Sequence, residues 1–220
     1  MMKDVRLVIG NKNYSSWSLC PWLLLKMFDI EFEEIQISLY QDNTAEKLGP
    51  YSPSLKVPVL LHKEVTVWDS LAICEYISDE FLGGSGWPVN PKRKASARSV
   101  SAEMHAEFPT LKQEWPMNCK ASYRLSPSDT LKDEIARMDA IWSCTRRRFG
   151  ENGNYLFGRF SLAACMFASA AICFEAYGAE LSADADSYMQ TLLDNPFVQK
   201  WKTLGRREKE NLAIAYADSA

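Results

Sequence analysis

The sequence predicts a small α/β domain followed by an all-helical one. Three observations carry this. Short β-rich and short helical runs alternate up to Leu82. Gly83-Gly84-Ser85-Gly86-Trp87-Pro88 is the strongest punctuation in the chain. Beyond it, apolar residues recur every three or four positions, the period of a helix face. The expected organisation is therefore 1–82 as the α/β domain, 83–91 as a linker and 92–220 as the helical domain.

Each element has its own signal. Val5 to Ile9 is a short strand. Pro21 to Phe28 is helical, with the proline in the first turn, where its missing N–H costs nothing. Phe32 to Leu39 is a second strand, alternating at Ile35, Ile37 and Leu39. Residues 41–55 leave room for a short helix. Val57–Leu61 and Val65–Trp68, separated by His62-Lys63-Glu64, form a hairpin. Asp69 or Ser70 then caps a helix through Ala72, Ile73, Tyr76 and Ile77. After the linker, Ala97, Val100, Met104, Phe108, Leu111 and Trp115 draw the apolar stripe of one long helix, kinked at Pro109. Ser126 to Asp129 opens the next, with Leu131, Ile135, Met138, Trp142 and Phe149 facing inward. Ser161 opens a strongly apolar helix that stops before Gly178, and Asn195-Pro196 opens a last one ending at Gly205.

Composition narrows the function. Hydrophobic residues make up 47% and charged residues 24%, with seven tryptophans and nine tyrosines, so the chain buries a core. The formal net charge of -3 argues against a nucleic-acid partner, which needs a basic face. Arg146-Arg147-Arg148 reads as favourable charge at a helix C-terminus. The longest apolar run, Leu162 to Phe174, is too short to span a bilayer, and MMKDVRLVIG is no signal peptide, so no membrane is expected. Six scattered cysteines without a CxxC pair, and two histidines, offer no metal framework or disulfide scaffold. Reduced cysteines in a cytoplasmic protein are the expectation.

Three places hold candidate chemistry. The first is NYSSWSLCPW, residues 13–22, where Ser15 and Ser16 lie between a strand and a helix. A serine there caps the helix or points its O–H at a ligand. If the ligand is a thiol, lowering its pKa by about 2 units takes roughly 2.7 kcal/mol. A hydrogen bond to the charged form supplies about 1.5–3 kcal/mol. A helix N-terminus adds about 0.3–1 kcal/mol, so no general base is needed. Cys20 is a rival nucleophile in the same stretch. A Ser-His-Asp hydrolase is disfavoured, since no GxSxG elbow exists and only His62 and His105 offer a base. The second place is Val57-Pro58: a cis bond there, the state of about 5% of X–Pro bonds, would turn both backbone polar groups of Val57 outward. A trans proline at a strand start is the ordinary alternative. The third is Asp69-Ser70, a plain helix cap or a site for a carboxylate and an amino group.

Taken together, YSSWSLCPW, LKVPVLL and WDSLAICEYI, in that order and ahead of a helical domain, resemble the cytosolic glutathione transferase superfamily. They look closest to its serine-type, zeta-like and related bacterial members, whose turn reads Ser-Ser-x-Ser-x-Arg. The resemblance covers nearly the whole chain. It implies a thioredoxin-like N-terminal domain, glutathione as co-substrate, no metal, a homodimer and a role in detoxification. Ser15 matches the catalytic serine, with Ser16 as the alternative. Val57 would pair with the cysteinyl part of glutathione, with Pro58 as the cis residue. Lys56 would reach the glycyl carboxylate, and Asp69 and Ser70 would hold the γ-glutamyl end, with Trp17 nearby. A hydrophobic electrophile would lie between the domains near Met104, His105 and Phe108. The implied reaction is conjugation of the glutathione thiolate to that electrophile. The alternatives are a glutathione-dependent cis-trans isomerase of the maleylacetoacetate type, a non-catalytic glutathione-binding protein, and a thiol reductase centred on Cys20. Two departures stand out: Cys20 replaces an arginine common in related sequences, and Ala164 replaces the aspartate of a Ser/Thr-x-x-Asp capping box.

Overall fold

The computed structural model describes residues 4–210. The first three and last ten residues of the expected domains lie outside the described residues. Strand β1 (Val5–Ile9) leads through helix α1 (Ser16–Met27) to β2 (Glu33–Gln36), a crossover that returns parallel to β1. A short α2 (Thr44–Leu48) precedes the hairpin of β3 (Val59–His62) and β4 (Val65–Trp68), and α3 (Ser70–Leu82) follows. The sheet order is β2-β1-β3-β4, with β1 and β3 antiparallel. This is a four-stranded mixed sheet flanked by helices, followed by a helical region, which matches the predicted fold class. The region 83–91 falls between α3 and α4 (Pro91–Ala106), which opens on Pro91 itself.

The side-chain alternation of the strands divides the core in two. Val5, Leu7, Ile9 and Leu60 face α1, α3 and the helical region. Val8, Val59 and Leu61 face the other way, against Leu48 of α2 and Ile37. The helical region builds on α7 (Leu162–Tyr177), whose residues are all buried apart from Glu175. A helix apolar on every side must sit at the centre of its neighbours. Here α7 packs against α1, α3, α4 and α8. Gly178 ends it at φ 73, a left-handed conformation that glycine adopts without strain.

The structure corrects several element boundaries. The first helix begins at Ser16, because Asn11 C=O accepts from the N–H groups of Tyr14 and Ser15 and turns the chain early. Pro21 therefore lies inside α1 rather than in its first turn. Having no N–H, it leaves the Trp17 carbonyl without its helical bond. The second strand is only Glu33–Gln36. The long kinked helix is two helices, α4 and α5 (Pro109–Glu114), because a residue before proline is driven out of the helical region and Phe108 turns left-handed at φ 64. Helix α6 (Asp129–Phe149) is capped by Ser128, whose Oγ accepts from Leu131 N–H. Helix α9 (Pro196–Arg207) runs past Gly205. Helix α8 (Ala183–Leu193) was not anticipated, although Ser182 caps it and Ala185, Tyr188, Met189 and Leu192 trace a buried stripe at helical spacing.

At the head of α7, Ser161 occupies the N-cap position without a side-chain cap bond. With Ala164 in place of the reciprocal acid, the cap is empty on both sides. Ala164→Asp is expected to stabilise the protein by about 0.5–2 kcal/mol and raise its melting temperature by a few degrees. Thermal unfolding showing no rise would mean that the backbone N–H groups of this buried turn are already satisfied.

Candidate functional site

The loop between β1 and α1 is held from several sides. Asn11 Oδ1 accepts from Leu39 N–H at 2.8 Å. Glu208 reaches back from beyond α9: one carboxylate oxygen accepts from Lys12 N–H at 2.7 Å, the other from Asn13 N–H at 3.0 Å. Gln36 Nε2 also donates to Glu208, at 2.6 Å. Glu210 accepts from Asn11 Nδ2 at 2.5 Å and from Ser38 Oγ at 2.7 Å. Gly205 lets α9 press on this loop, since a Cβ there would stand 3.0 Å from Asn13 N. The buried Lys12 ammonium pairs with Glu34 and lies 5.4 Å from the centre of the Trp201 ring.

The serines differ in their commitments. Ser15 is buried, at the N-cap position of α1, and its Oγ donates to Ser18 Oγ at 2.7 Å. Ser18 in turn accepts from Gly10 N–H at 3.2 Å. Ser16 opens α1 half-buried, and no hydrogen bond within the described residues uses its hydroxyl. Both Ser15 and Ser16 line a cavity of about 520 Å³, together with Tyr14, Trp17, Met104, Leu111, Lys112, Trp115 and Ala170. Its wall is largely apolar, as in most small-molecule sites.

A second cavity, of about 450 Å³, opens beside the first and is more polar. Trp17, Ser54, Lys56, Val57, Pro58, Trp68, Asp69, Ser70, His105 and Lys112 line it. The Val57–Pro58 bond is cis. No hydrogen bond within the described residues uses the Val57 N–H or C=O. Asp69 caps α3, with Oδ1 accepting from the N–H groups of Leu71 and Ala72 at 3.0 and 3.2 Å. Its Oδ2 meets His105 Nε2 at 2.8 Å. Ser70, the first residue of α3, is 3% exposed, and its hydroxyl has no partner. A buried, unpaired hydroxyl at a helix N-terminus is the complement of a carboxylate.

The structure thus brings Trp17, Lys56, Val57, Pro58, Asp69 and Ser70 to one cavity, with Ser15, Ser16 and Met104 in its neighbour. Two expected pocket residues sit elsewhere. His105 lines the polar cavity, because it turns toward Asp69 and meets Trp17 at a tilted angle of 54°, 5.2 Å between ring centres. Phe108 is 3% exposed and packs in the core, since its left-handed backbone sends the side chain inward. Lys112 and Trp115 were missed. They lie on or just after α5, whose orientation is set by the break at Phe108 and cannot be extrapolated from α4.

Cys20 is no nucleophile. It is fully buried, with Sγ toward Ser16 C=O at 3.9 Å. Burial pushes its pKa up to about 12, and the charge of Asp69 pushes the same way. The thiolate a reductase needs does not form there. None of the six cysteines is disulfide-bonded. Among the described residues, no group of three or more His, Cys, Asp or Glu side chains is placed to hold a metal ion, and no helix is long and apolar enough to cross a membrane.

Comparison with known proteins bears on the N-terminal domain and the fold. The family model "Glutathione S-transferase, N-terminal domain" matches residues 14–80. A dichloromethane dehalogenase of Methylorubrum extorquens is 38% identical over 61 residues, 27% of this chain and 21% of that protein. A probable maleylacetoacetate isomerase of Caenorhabditis elegans is 29% identical over 92 residues, 40% of this chain and 43% of that protein. The chain thus matches less than half the length of either relative. Among solved structures, a glutathione transferase homolog from Burkholderia, with bound glutathione, has a TM-score of 0.71 at 20% identity, covering 94% of this chain and 100% of that one. A theta class glutathione S-transferase from Xanthomonas axonopodis pv. citri, with glutathione bound, has a TM-score of 0.68 at 15% identity, covering 90% and 97%. Residues 14–80 thus match the glutathione S-transferase N-terminal domain, and the described chain has the fold of the solved glutathione transferases.

Proposed function

We propose that the protein is a serine-type glutathione transferase that conjugates glutathione to a hydrophobic electrophile. The observation that carries this is the orphaned Ser70 hydroxyl at the α3 N-terminus, beside the Asp69 carboxylate and across one cavity from the unpaired backbone of Val57. A γ-glutamyl carboxylate fits Ser70 and the helix N-terminus. The γ-glutamyl ammonium fits Asp69, the cysteinyl backbone fits Val57, and the glycyl carboxylate fits Lys56. The sulfur then faces the serines at the head of α1. Its proton leaves to water, a serine O–H donates to the thiolate, and the sulfur electron pair attacks the electrophilic carbon. A leaving group departs with its bonding electrons, or an activated double bond accepts them. The apolar cavity excludes water from this step and strengthens the hydrogen bond.

The same reading makes the protein a cytoplasmic homodimer with a detoxifying role. Six unbridged cysteines suit a reducing compartment. The edge strand β4 carries the exposed Val65 and Trp68, apolar surface that a second copy would cover. The similarity to a probable maleylacetoacetate isomerase favours a second reaction on the same site. There, the thiolate adds to a cis double bond, the adduct rotates, and the thiolate leaves from the trans product.

Titration calorimetry with glutathione tests the binding, and turnover tests the reaction. Heat of binding, with conjugation of a generic aryl halide, is the expected result. Turnover of maleylacetoacetate alone would replace conjugation by isomerisation. Binding without turnover on a broad electrophile panel would make the protein a glutathione carrier, and no binding would sink the reading.

A further inference from the structure

Trp17, Lys56, Val57 and Lys112 line both cavities. They form the waist between the polar and apolar chambers. On the glutathione reading, on which this inference rests, a cysteinyl group paired with Val57 puts its sulfur at that waist. What charge meets it there is therefore a question about these four residues.

Lys112 enters the waist from α5, in the helical region, and its head group is fixed. Its Nζ donates to the carbonyls of Glu107 at 2.8 Å and His105 at 3.2 Å, both at the C-terminal end of α4. It also stands 4.9 Å from the centre of the Trp17 ring. Trp17 is the second residue of α1, directly after Ser16, so the ammonium and the head of α1 face the same space. An ammonium has three N–H donors. The two carbonyls take two of them, and one remains.

The charges around it leave a role open. Helix α1 offers no cation at its head: its basic residue is Lys26 in the last turn, and Cys20 is a neutral, buried thiol. Burial holds the Lys112 pKa below its ordinary value, while Glu134 and Glu107 act against that. A partly desolvated ammonium interacts with an anion more strongly than one in water. The other charged or titratable groups lining the polar cavity are Lys56, Asp69 and His105, the last two bound to each other.

We propose that Lys112 is a catalytic residue of the transfer: its remaining N–H meets the glutathione sulfur, so that the thiolate is held between a serine hydroxyl and this ammonium. The S–H proton goes to bulk water, the sulfur keeps the electron pair, and Lys112 stays protonated throughout. It supplies from the helical region the positive charge that α1 lacks.

Lys112→Gln and Lys112→Arg test this, with glutathione affinity read by calorimetry and the thiol pKa of the bound tripeptide read by ultraviolet absorbance of the thiolate. The wild type is measured first; if it binds no glutathione, the functional reading fails and this inference fails with it. Given binding, Lys112→Gln is expected to raise the bound thiol pKa by about one unit, from about 6.5 to about 7.5 for a thiol lowered by about 2 units, leaving roughly threefold less thiolate at about pH 7. Lys112→Arg, which keeps the charge, is expected to recover at least half of that shift. A merely structural lysine would move melting temperature and affinity but leave the thiol pKa in place, and that outcome overturns the inference while sparing the glutathione reading. Equal shifts in both variants overturn it too. If Lys112→Gln does not fold, the wild type labelled with isotopic lysine replaces it. The Lys112 resonance is then expected to titrate higher with glutathione than with S-methylglutathione, which has no ionisable thiol. Identical titrations with the two ligands overturn the proposal.

Discussion

Ser16→Ala is expected to raise the thiol pKa of bound glutathione by about one to two units, or roughly 1.4–2.7 kcal/mol of lost thiolate stabilisation. The size follows from removing one hydrogen bond to a charged acceptor. Ser16 is favoured over Ser15 by what each hydroxyl already does. Ser15 donates to Ser18, which is anchored by Gly10 N–H, so it must release a bond to serve a ligand. Ser16 releases none. Ser15→Ala is accordingly expected to weaken the β1–α1 turn and lower the melting temperature with a smaller change in thiol pKa. The opposite ranking would assign the role to Ser15, with Ser18 turning its own O–H toward it. An unchanged pKa in both variants would sink the serine mechanism.

Glu34→Ala is expected to cost about 3 kcal/mol of stability and to lower the melting temperature by about 6–12 °C. Glu34 serves two donors at once. One carboxylate oxygen pairs with the buried Lys12 ammonium, and the other accepts from Trp22 Nε1 at 2.7 Å. Removing the acid strands a cation whose side chain is 4% exposed, with the Trp201 ring and a 3.5 Å approach to Gln36 Oε1 as its remaining support. Trp22 and Trp201 meet edge to face at 5.1 Å, so the damage reaches the contact between α1 and α9. The double variant Lys12→Met with Glu34→Leu is expected to recover much of the loss, since it removes both charges together. Thermal unfolding of the three chains decides the matter; a Glu34→Ala protein melting within about 2 °C of wild type would show that Lys12 finds another counter-charge.

What could be read from the sequence was what depends on local signals. Pro58 at a strand start, Asp69 and Ser70 at a helix start, and serines between a strand and a helix each announce their backbone setting within a few residues. All of them line one or other of the two cavities. What failed depended on the chain's path between elements. Phe108 lies on the same helical stripe as Met104 in the sequence, but one left-handed residue before Pro109 rotates everything after it. That rotation buries Phe108 and brings Lys112 to the cavities. Helix α1 was placed too late because its start is set by the Asn11 carbonyl, and Ser15 at the N-cap makes no side-chain cap bond but donates to Ser18. The hold of Glu208 on Lys12 and Asn13 joins residues 196 and 195 positions apart, and no window along the sequence sees it.

That hold bears on the order in which the protein is made. A ribosome releases β1, the serine turn and α1 early, yet the carboxylates that fix the turn belong to Glu208 and Glu210. Contacts of such long separation form late. The sheet and α1 can pack before the segment after α9 docks, but the turn at Asn11, Lys12 and Asn13 gains its carboxylate partners only once Glu208 and Glu210 are in place. A chain truncated before Glu208 would lack these carboxylates and hold the turn loosely, so on the proposed function thiol activation would depend on a segment 195 and 196 positions away.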